Sequence, residues 1–166
     1  MPATVSVNMR TVVHASSSGI CSGFPDVCKT PAPPSPSPIP IPYPNIAQSS
    51  DTAQGSTTVK CDGNPIMLQS SNFKMSTGDE VGSIGGVVSS KIKGKAEPQM
   101  YSFDVKVDGK NVVRLLDIFL LNDKNTPPFP VMQPPSIVVM IPAPESSTPP
   151  NLTKFDMPEG DQKKVQ

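Results

Sequence analysis

The chain has 166 residues, of which 36% are hydrophobic and 5% aromatic, and it lacks tryptophan. Its 22 prolines and 11 glycines disfavour a helical protein, because proline costs roughly 3 kcal/mol inside a helix. Fourteen basic and fourteen acidic residues cancel, so we expect no nucleic-acid partner and no attraction to a membrane surface. No segment approaches the roughly 20 apolar residues that span a bilayer, and no signal peptide is recognised.

A ten-residue unit occurs three times, at residues 5–14, 59–68 and 105–114. Each copy predicts a short apolar strand, a polar turn and a second apolar strand. Asp62-Gly63 and Asp108-Gly109 predict two-residue hairpin turns with positive φ. Met9 breaks this pattern, so we expect a looser turn in the first copy. Three similar hairpins predict a pseudo-threefold object, which suits a symmetric trimer as its partner.

Between the first two copies, prolines occupy almost alternate positions from Pro31 to Pro44. Such a run lies extended, because proline has a preset φ and few backbone donors remain. It is interpreted as a stiff connector between two hairpins. The alternative is a docking motif for a proline-binding module. After the third copy, residues 115–121 predict the end of a buried strand.

From Lys124 onward the composition changes, since ten of the last 43 residues are proline. We therefore predict a domain over residues 1–123 and a proline-rich tail over residues 124–166, most of it mobile. Residues 137–141 are the exception, because they form a β-prone apolar island. They predict an edge strand, either on the domain's own sheet, which is the favoured placement, or on the exposed edge of a partner's sheet.

Several stretches, taken in order, resemble the PAAR-like domain proteins of type VI secretion systems, the spike-tip group associated with toxins. They cover about residues 4–123 and comprise 7–14, 24–31, 40–45, 49–51, 62–68, 76–80 and 107–114. The resemblance implies an all-β fold. Its form would be a small conical domain of three pseudo-threefold-related β-hairpin repeats with proline-rich connectors.

The resemblance also implies a function. The protein would be a structural tip that caps and sharpens the trimeric VgrG spike of a type VI secretion system and carries effectors. Its partners would be a VgrG-type trimeric spike protein and, through the C-terminal tail, an effector or adaptor, with no stable membrane insertion. It would lie in the bacterial cytoplasm before firing and then be secreted with the injected spike. Two alternatives stay open: the N-terminal carrier part of a toxin effector, and a proline-rich interaction module unrelated to secretion.

Many PAAR tips hold a zinc ion near the apex, so the resemblance directs attention to candidate zinc ligands. His14, Cys21, Cys28 and Cys61 would together make a tetrahedral Cys3His site. Cys28 lies in a stretch that matches the family and is the best candidate. Cys61 takes a valine position of the repeat and is equally explained as a small buried hydrophobe. Related sequences often carry histidine after the third hairpin, and this chain does not. The alternative is a tip held by apolar packing with reduced thiols.

Catalysis finds little support in the sequence. His14 is the single histidine and has no nucleophile signature near it. Asp79 and Glu80 are adjacent, so in a strand they would point to opposite faces. No glycine-rich phosphate loop opens a helix, and an open metal position with a general base, as a zinc hydrolase needs, is not recognised. The sequence therefore predicts that the protein is not an enzyme.

Overall fold

The computed structural model describes residues 2–135, and the edge strand expected at residues 137–141 lies outside them. A 3-10 turn spans Ser49–Asp51. In the described residues the strands are β1 (Ser6–Val7), β2 (Arg10–Thr11), β3 (Ile20–Thr30), β4 (Ile39–Gln48), β5 (Thr52–Ala53), β6 (Lys60–Cys61), β7 (Asn64–Pro65), β8 (Asn72–Phe73), β9 (Ser76–Thr77), β10 (Gly85–Gly86), β11 (Glu97–Pro98), β12 (Lys106–Val107), β13 (Lys110–Asn111), β14 (Ile118–Leu120) and β15 (Phe129–Met132). Across residues 2–135, no helix is long and apolar enough to cross a membrane.

The three repeated units form the antiparallel pairs β1–β2, β6–β7 and β12–β13. Both central residues of each turn have positive φ, at Asn8-Met9 (51° and 64°), Asp62-Gly63 (51° and 77°) and Asp108-Gly109 (52° and 75°). This backbone matches the twist of the flanking strands, which is why it is common in two-residue hairpins. The prediction of a looser first turn is wrong, because Met9 adopts the conformation that the other copies give to glycine.

The three hairpins close on one another in a ring of backbone hydrogen bonds. The Val13 N–H donates to the Val113 carbonyl (3.1 Å), the Val113 N–H to the Met67 carbonyl (3.0 Å), and the Met67 N–H to the Val13 carbonyl (2.8 Å). These residues hold the same position in the three copies, and their side chains are buried in the main core. The preceding residue of each copy packs into a second apolar cluster, with Val12, Ile66 and Val112. The all-β conical fold with a pseudo-threefold repeat is confirmed.

Side-chain hydrogen bonds form a second ring around the first, because each hairpin turn is bonded to the start of another hairpin. The tethers are Thr4 to Asp62, Thr58 to Asp108 and Asn8 to Asp104. In the first two, the threonine donates to the carboxylate of the turn; in the third, the turn amide donates to the carboxylate. These hydrogen bonds lower the pKa of all three carboxyl groups, to about 2 for Asp108. The hairpins are therefore held as one unit.

The longest element is the hairpin of β3 and β4, which the sequence did not predict. Part of the expected proline-rich connector is strand, since residues 39–43 pair with β3. On its other side β4 is paired with β9, but only at Ile46 and Ala47. Prolines at positions 40, 42 and 44 are tolerated because this stretch is an edge, where a missing N–H interrupts no second ladder.

The main sheet continues past residue 123. Strand β15 pairs with β14 and also with the start of β3, through Val131 opposite Cys21 and Met132 opposite Ile20. Strand β14 confirms the buried strand expected within residues 115–121. Phe119 of β14 stacks on Phe73 with ring centroids 4.9 Å apart, and both rings are fully buried. The division of the chain at residue 123 stays a prediction.

Candidate functional site

The four residues expected to bind zinc lie in different surroundings. His14 is buried, and its Nε2 atom lies 3.0 Å from Oδ2 of Asp62. Cys21 packs in the main core, and Cys61 packs in the second apolar cluster. Cys28 lies elsewhere, between two buried carboxyl groups. All three cysteines are free thiols.

Cys28 lies between Asp26 and Asp79, and all three side chains are fully buried. The Cys28 Sγ atom is 3.6 Å from Oδ1 of Asp26 and 3.9 Å from Oδ2 of Asp79. In residues 2–135, these are the metal-ligating side chains that come together as a group of three, with ligand atoms within 4.8 Å of one another. Burial, followed by the two nearby carboxylates, raises the pKa of the Cys28 thiol to about 12. The thiol is therefore protonated at neutral pH.

Local structure explains why these groups meet. Asp26 and Cys28 are two residues apart on β3, so their side chains share one face of the strand, just past a bulge. Asp79 follows β9, and its two carboxylate oxygens accept the Lys93 N–H at 3.1 and 3.2 Å. The backbone of Gly82 passes close by, since a Cβ there would lie 2.2 Å from the Cβ of Cys28. Glycine lets this segment cover the thiol.

Three buried asparagines surround Asp26 and turn their NH2 groups towards it. Asn45 donates to Oδ2 at 2.6 Å, while Asn122 (3.3 Å) and Asn125 donate to Oδ1. The orientation follows from the amide oxygens, which accept the backbone N–H groups of Ile46, Gly94 and Val88. We call the six side chains the Asp26 centre: Asp26, Cys28, Asn45, Asp79, Asn122 and Asn125.

The sequence analysis found only Cys28 of this centre as a site residue, and it considered Asp79 only as a neighbour of Glu80 that lacks catalytic support. The signal available was the stretch that ends β3, in which Asp26 and Cys28 lie on either side of Val27 and so share one face of the strand. The asparagines gave no signal, because Asn122 and Asn125 lie in a turn about a hundred residues away.

The hydrogen-bond donors of the Asp26 centre suit a carboxylate at its middle and do not suit a zinc ion. Zinc is bound by nitrogen, sulfur or oxygen lone pairs, whereas the amides present hydrogens to Asp26. Cys28 would also have to lose its proton beside two carboxylates, against a pKa raised to about 12. This donor set favours the alternative of apolar packing with reduced thiols, and metal content decides between that alternative and the predicted four-residue site of Cys28, His14, Cys21 and Cys61.

Metal analysis of the purified protein tests the choice between these arrangements. We expect much less than one zinc per chain, with no change in melting temperature on adding a chelator, because the Asp26 centre is satisfied by hydrogen bonds. Cys28→Ser should leave the metal content unchanged, as should the core control Cys21→Ser. One zinc per chain that is lost on Cys28→Ser would contradict this expectation.

The pseudo-threefold ring and the long β3–β4 hairpin define a small all-β domain built from hairpins. Residues 19–128 match the family described as Toxin PAAR-like domain, and the chain belongs to this family. The resemblance to PAAR-like domain proteins of type VI secretion systems is thus confirmed. A relative, the DNase toxin Tse7 of Pseudomonas aeruginosa strain PAO1, is 41% identical over 134 residues, which cover 75% of this chain and 35% of the relative. No solved structure matches the chain.

One prediction is corrected by this comparison. The expectation that the protein is not an enzyme is wrong at the level of its relatives, because one with 41% identity is a DNase toxin. The expectation rested on the 166 residues of this chain, whereas the relative's activity belongs to a protein of which only 35% is matched. The balanced charge of this chain therefore does not exclude a nucleic acid as a partner.

Proposed function

We propose that the chain is the spike-tip part of a type VI effector, which caps a VgrG-type trimer and carries a toxin. The observation that supports this most is the closed ring of backbone hydrogen bonds through Val13, Met67 and Val113. One chain with three equivalent faces can match three identical subunits. The ring therefore offers a symmetric trimer three similar contacts from a single copy.

The carrier role rests on the comparisons. Membership of the toxin PAAR-like family and the similarity to a DNase toxin support attachment to a toxin that acts on DNA. In this proposal the tip and the N-terminal carrier of a toxin are one and the same part, and it leaves the producing cell with the spike. The interaction-module alternative receives less support, because residues 39–43 of β4 are paired with β3 rather than presented as a free proline-rich ligand.

The capping role is tested by mixing the purified protein with the VgrG trimer encoded beside it and measuring the mass of the complex by light scattering. We expect one copy per trimer, because one copy occupies the binding surfaces of all three subunits and leaves none for a second copy. A VgrG trimer from an unrelated cluster is the matched control and should bind more weakly. Absence of a complex at micromolar concentration would contradict the capping role.

The proposed DNase cargo is tested separately, by expressing in bacteria the full product of the native gene. We expect loss of chromosomal DNA. Intact DNA in cells that accumulate the soluble protein would contradict a nuclease cargo, without bearing on the capping role.

A further inference from the structure

The first hairpin turn departs from the other two at one residue. Met9 has a φ of 64°, and its equivalents in the repeat are Gly63 and Gly109. A left-handed φ is disfavoured for a residue with a Cβ and is natural for glycine. The chain therefore holds a methionine where its own repeat uses glycine twice.

Within the described residues, the packing of the domain does not account for this methionine. Met9 is 56% exposed and belongs to neither apolar cluster. At the equivalent Gly63 and Gly109, an added Cβ would meet nothing within 4 Å. The side chain at this turn position thus projects into open space.

The turn that carries Met9 is nevertheless firmly held. The Asn8 amide nitrogen donates to Asp104 (2.9 Å), and the Asn8 amide oxygen accepts from Arg114 (2.8 Å) and from Ser102 (2.7 Å). Arg114 is itself buried and bound through two nitrogens to the carboxylate of Asp117. A fixed turn presents its side chain without the entropy loss that a mobile loop suffers on binding.

We propose that Met9 is a contact residue for the trimeric spike protein and fills an apolar pocket on one of its three subunits. This inference rests on the proposed capping function. A symmetric trimer offers the same pocket three times, and the glycine turns leave the other two unfilled. Methionine suits such a pocket, since its flexible thioether adapts to irregular apolar shapes. A methionine with an unfavourable φ is then retained at this position because of its contact with the spike protein, and not because it stabilises the fold.

Two substitutions at this position separate binding from folding. Met9→Gln keeps the backbone strain and the length but removes the apolar end, so the melting temperature of the free domain should stay unchanged. Affinity for the VgrG trimer should fall about 10- to 100-fold, the effect of burying one such side chain. Met9→Gly should weaken binding similarly and raise the melting temperature by a few degrees. Val88→Gln is the matched control, because Val88 is 73% exposed on the β10 segment, outside the three hairpins.

The outcomes are distinct. If the unmodified protein caps the trimer and both Met9 variants bind as tightly as it does, the inference is wrong and the capping function stands. If Met9→Gly lowers the melting temperature, Met9 serves folding and the inference is also wrong. If the unmodified protein forms no complex, the capping function itself fails. Weaker binding by both variants, with Val88→Gln unaffected, supports the contact.

Discussion

Replacing Asp26 by asparagine should lower the free energy of unfolding by about 3 kcal/mol, the scale expected when a buried, hydrogen-bonded charge loses its partners. The reason is the direction of the surrounding donors. Asn45, Asn122 and Asn125 all turn NH2 groups towards this side chain. An amide at position 26 would place its own NH2 group against theirs. Urea unfolding followed by circular dichroism measures the loss.

Asp123→Asn is the matched control for this substitution. Its carboxylate pairs with Lys91 at 2.7 Å, but the lysine side chain is 62% exposed. Exposed ion pairs contribute about 1 kcal/mol or less. Equal losses for the two variants would mean that the amide donors around Asp26 do not hold it as a carboxylate.

The stability of the protein should fall as the pH rises from about 4 to about 6. Burial, and then the charge of Asp26, raises the pKa of Asp79 to about 6 from an ordinary value of 3.8. The folded protein therefore binds this proton more tightly than the unfolded chain does. The stabilisation is complete below the unfolded pKa and is lost as the pH rises through the folded one. A shift of this size corresponds to a loss on the order of 3 kcal/mol.

Asp79→Asn tests the assignment of this slope, because an amide is neutral at every pH in the range. The variant should melt at nearly the same temperature at pH 4 and pH 7. The neighbouring Glu80→Gln should keep the slope of the unmodified protein, since Glu80 is exposed. The lowered pKa of Asp108, about 2, acts with the opposite sign and at lower pH, so it does not overlap this window. An unchanged slope in Asp79→Asn would assign the titration to another group.

The three hairpins could be predicted because their information is local. An Asp-Gly pair between two short apolar runs specifies a two-residue turn, and the structure has both such turns where expected. The first turn was misjudged for the complementary reason. Methionine disfavours positive φ, but the hydrogen bonds of Asn8 to Asp104 and Arg114 hold the first turn in the same conformation as the other two.

The β3–β4 hairpin and the Asp26 centre could not be predicted, because their information is distant. Alternate prolines in β4 suppress every local strand signal, and only an edge position makes them acceptable. Cys28 drew attention through a stretch that matches the family. Its second carboxyl neighbour, Asp79, lies 51 residues away and Asn122 lies 94 residues away, so no spacing rule links them.

The closed ring of backbone hydrogen bonds limits how far the chain can be truncated. The hydrogen bond between Val13 and Val113 joins residues one hundred positions apart. The ring can therefore close only after the ribosome has released residue 113. A fragment that stops before residue 113 would keep only the bond between Met67 and Val13. It would also leave unpaired strand edges, which favour aggregation. Deletions between residues 13 and 113 should therefore abolish the folded domain rather than yield a smaller one.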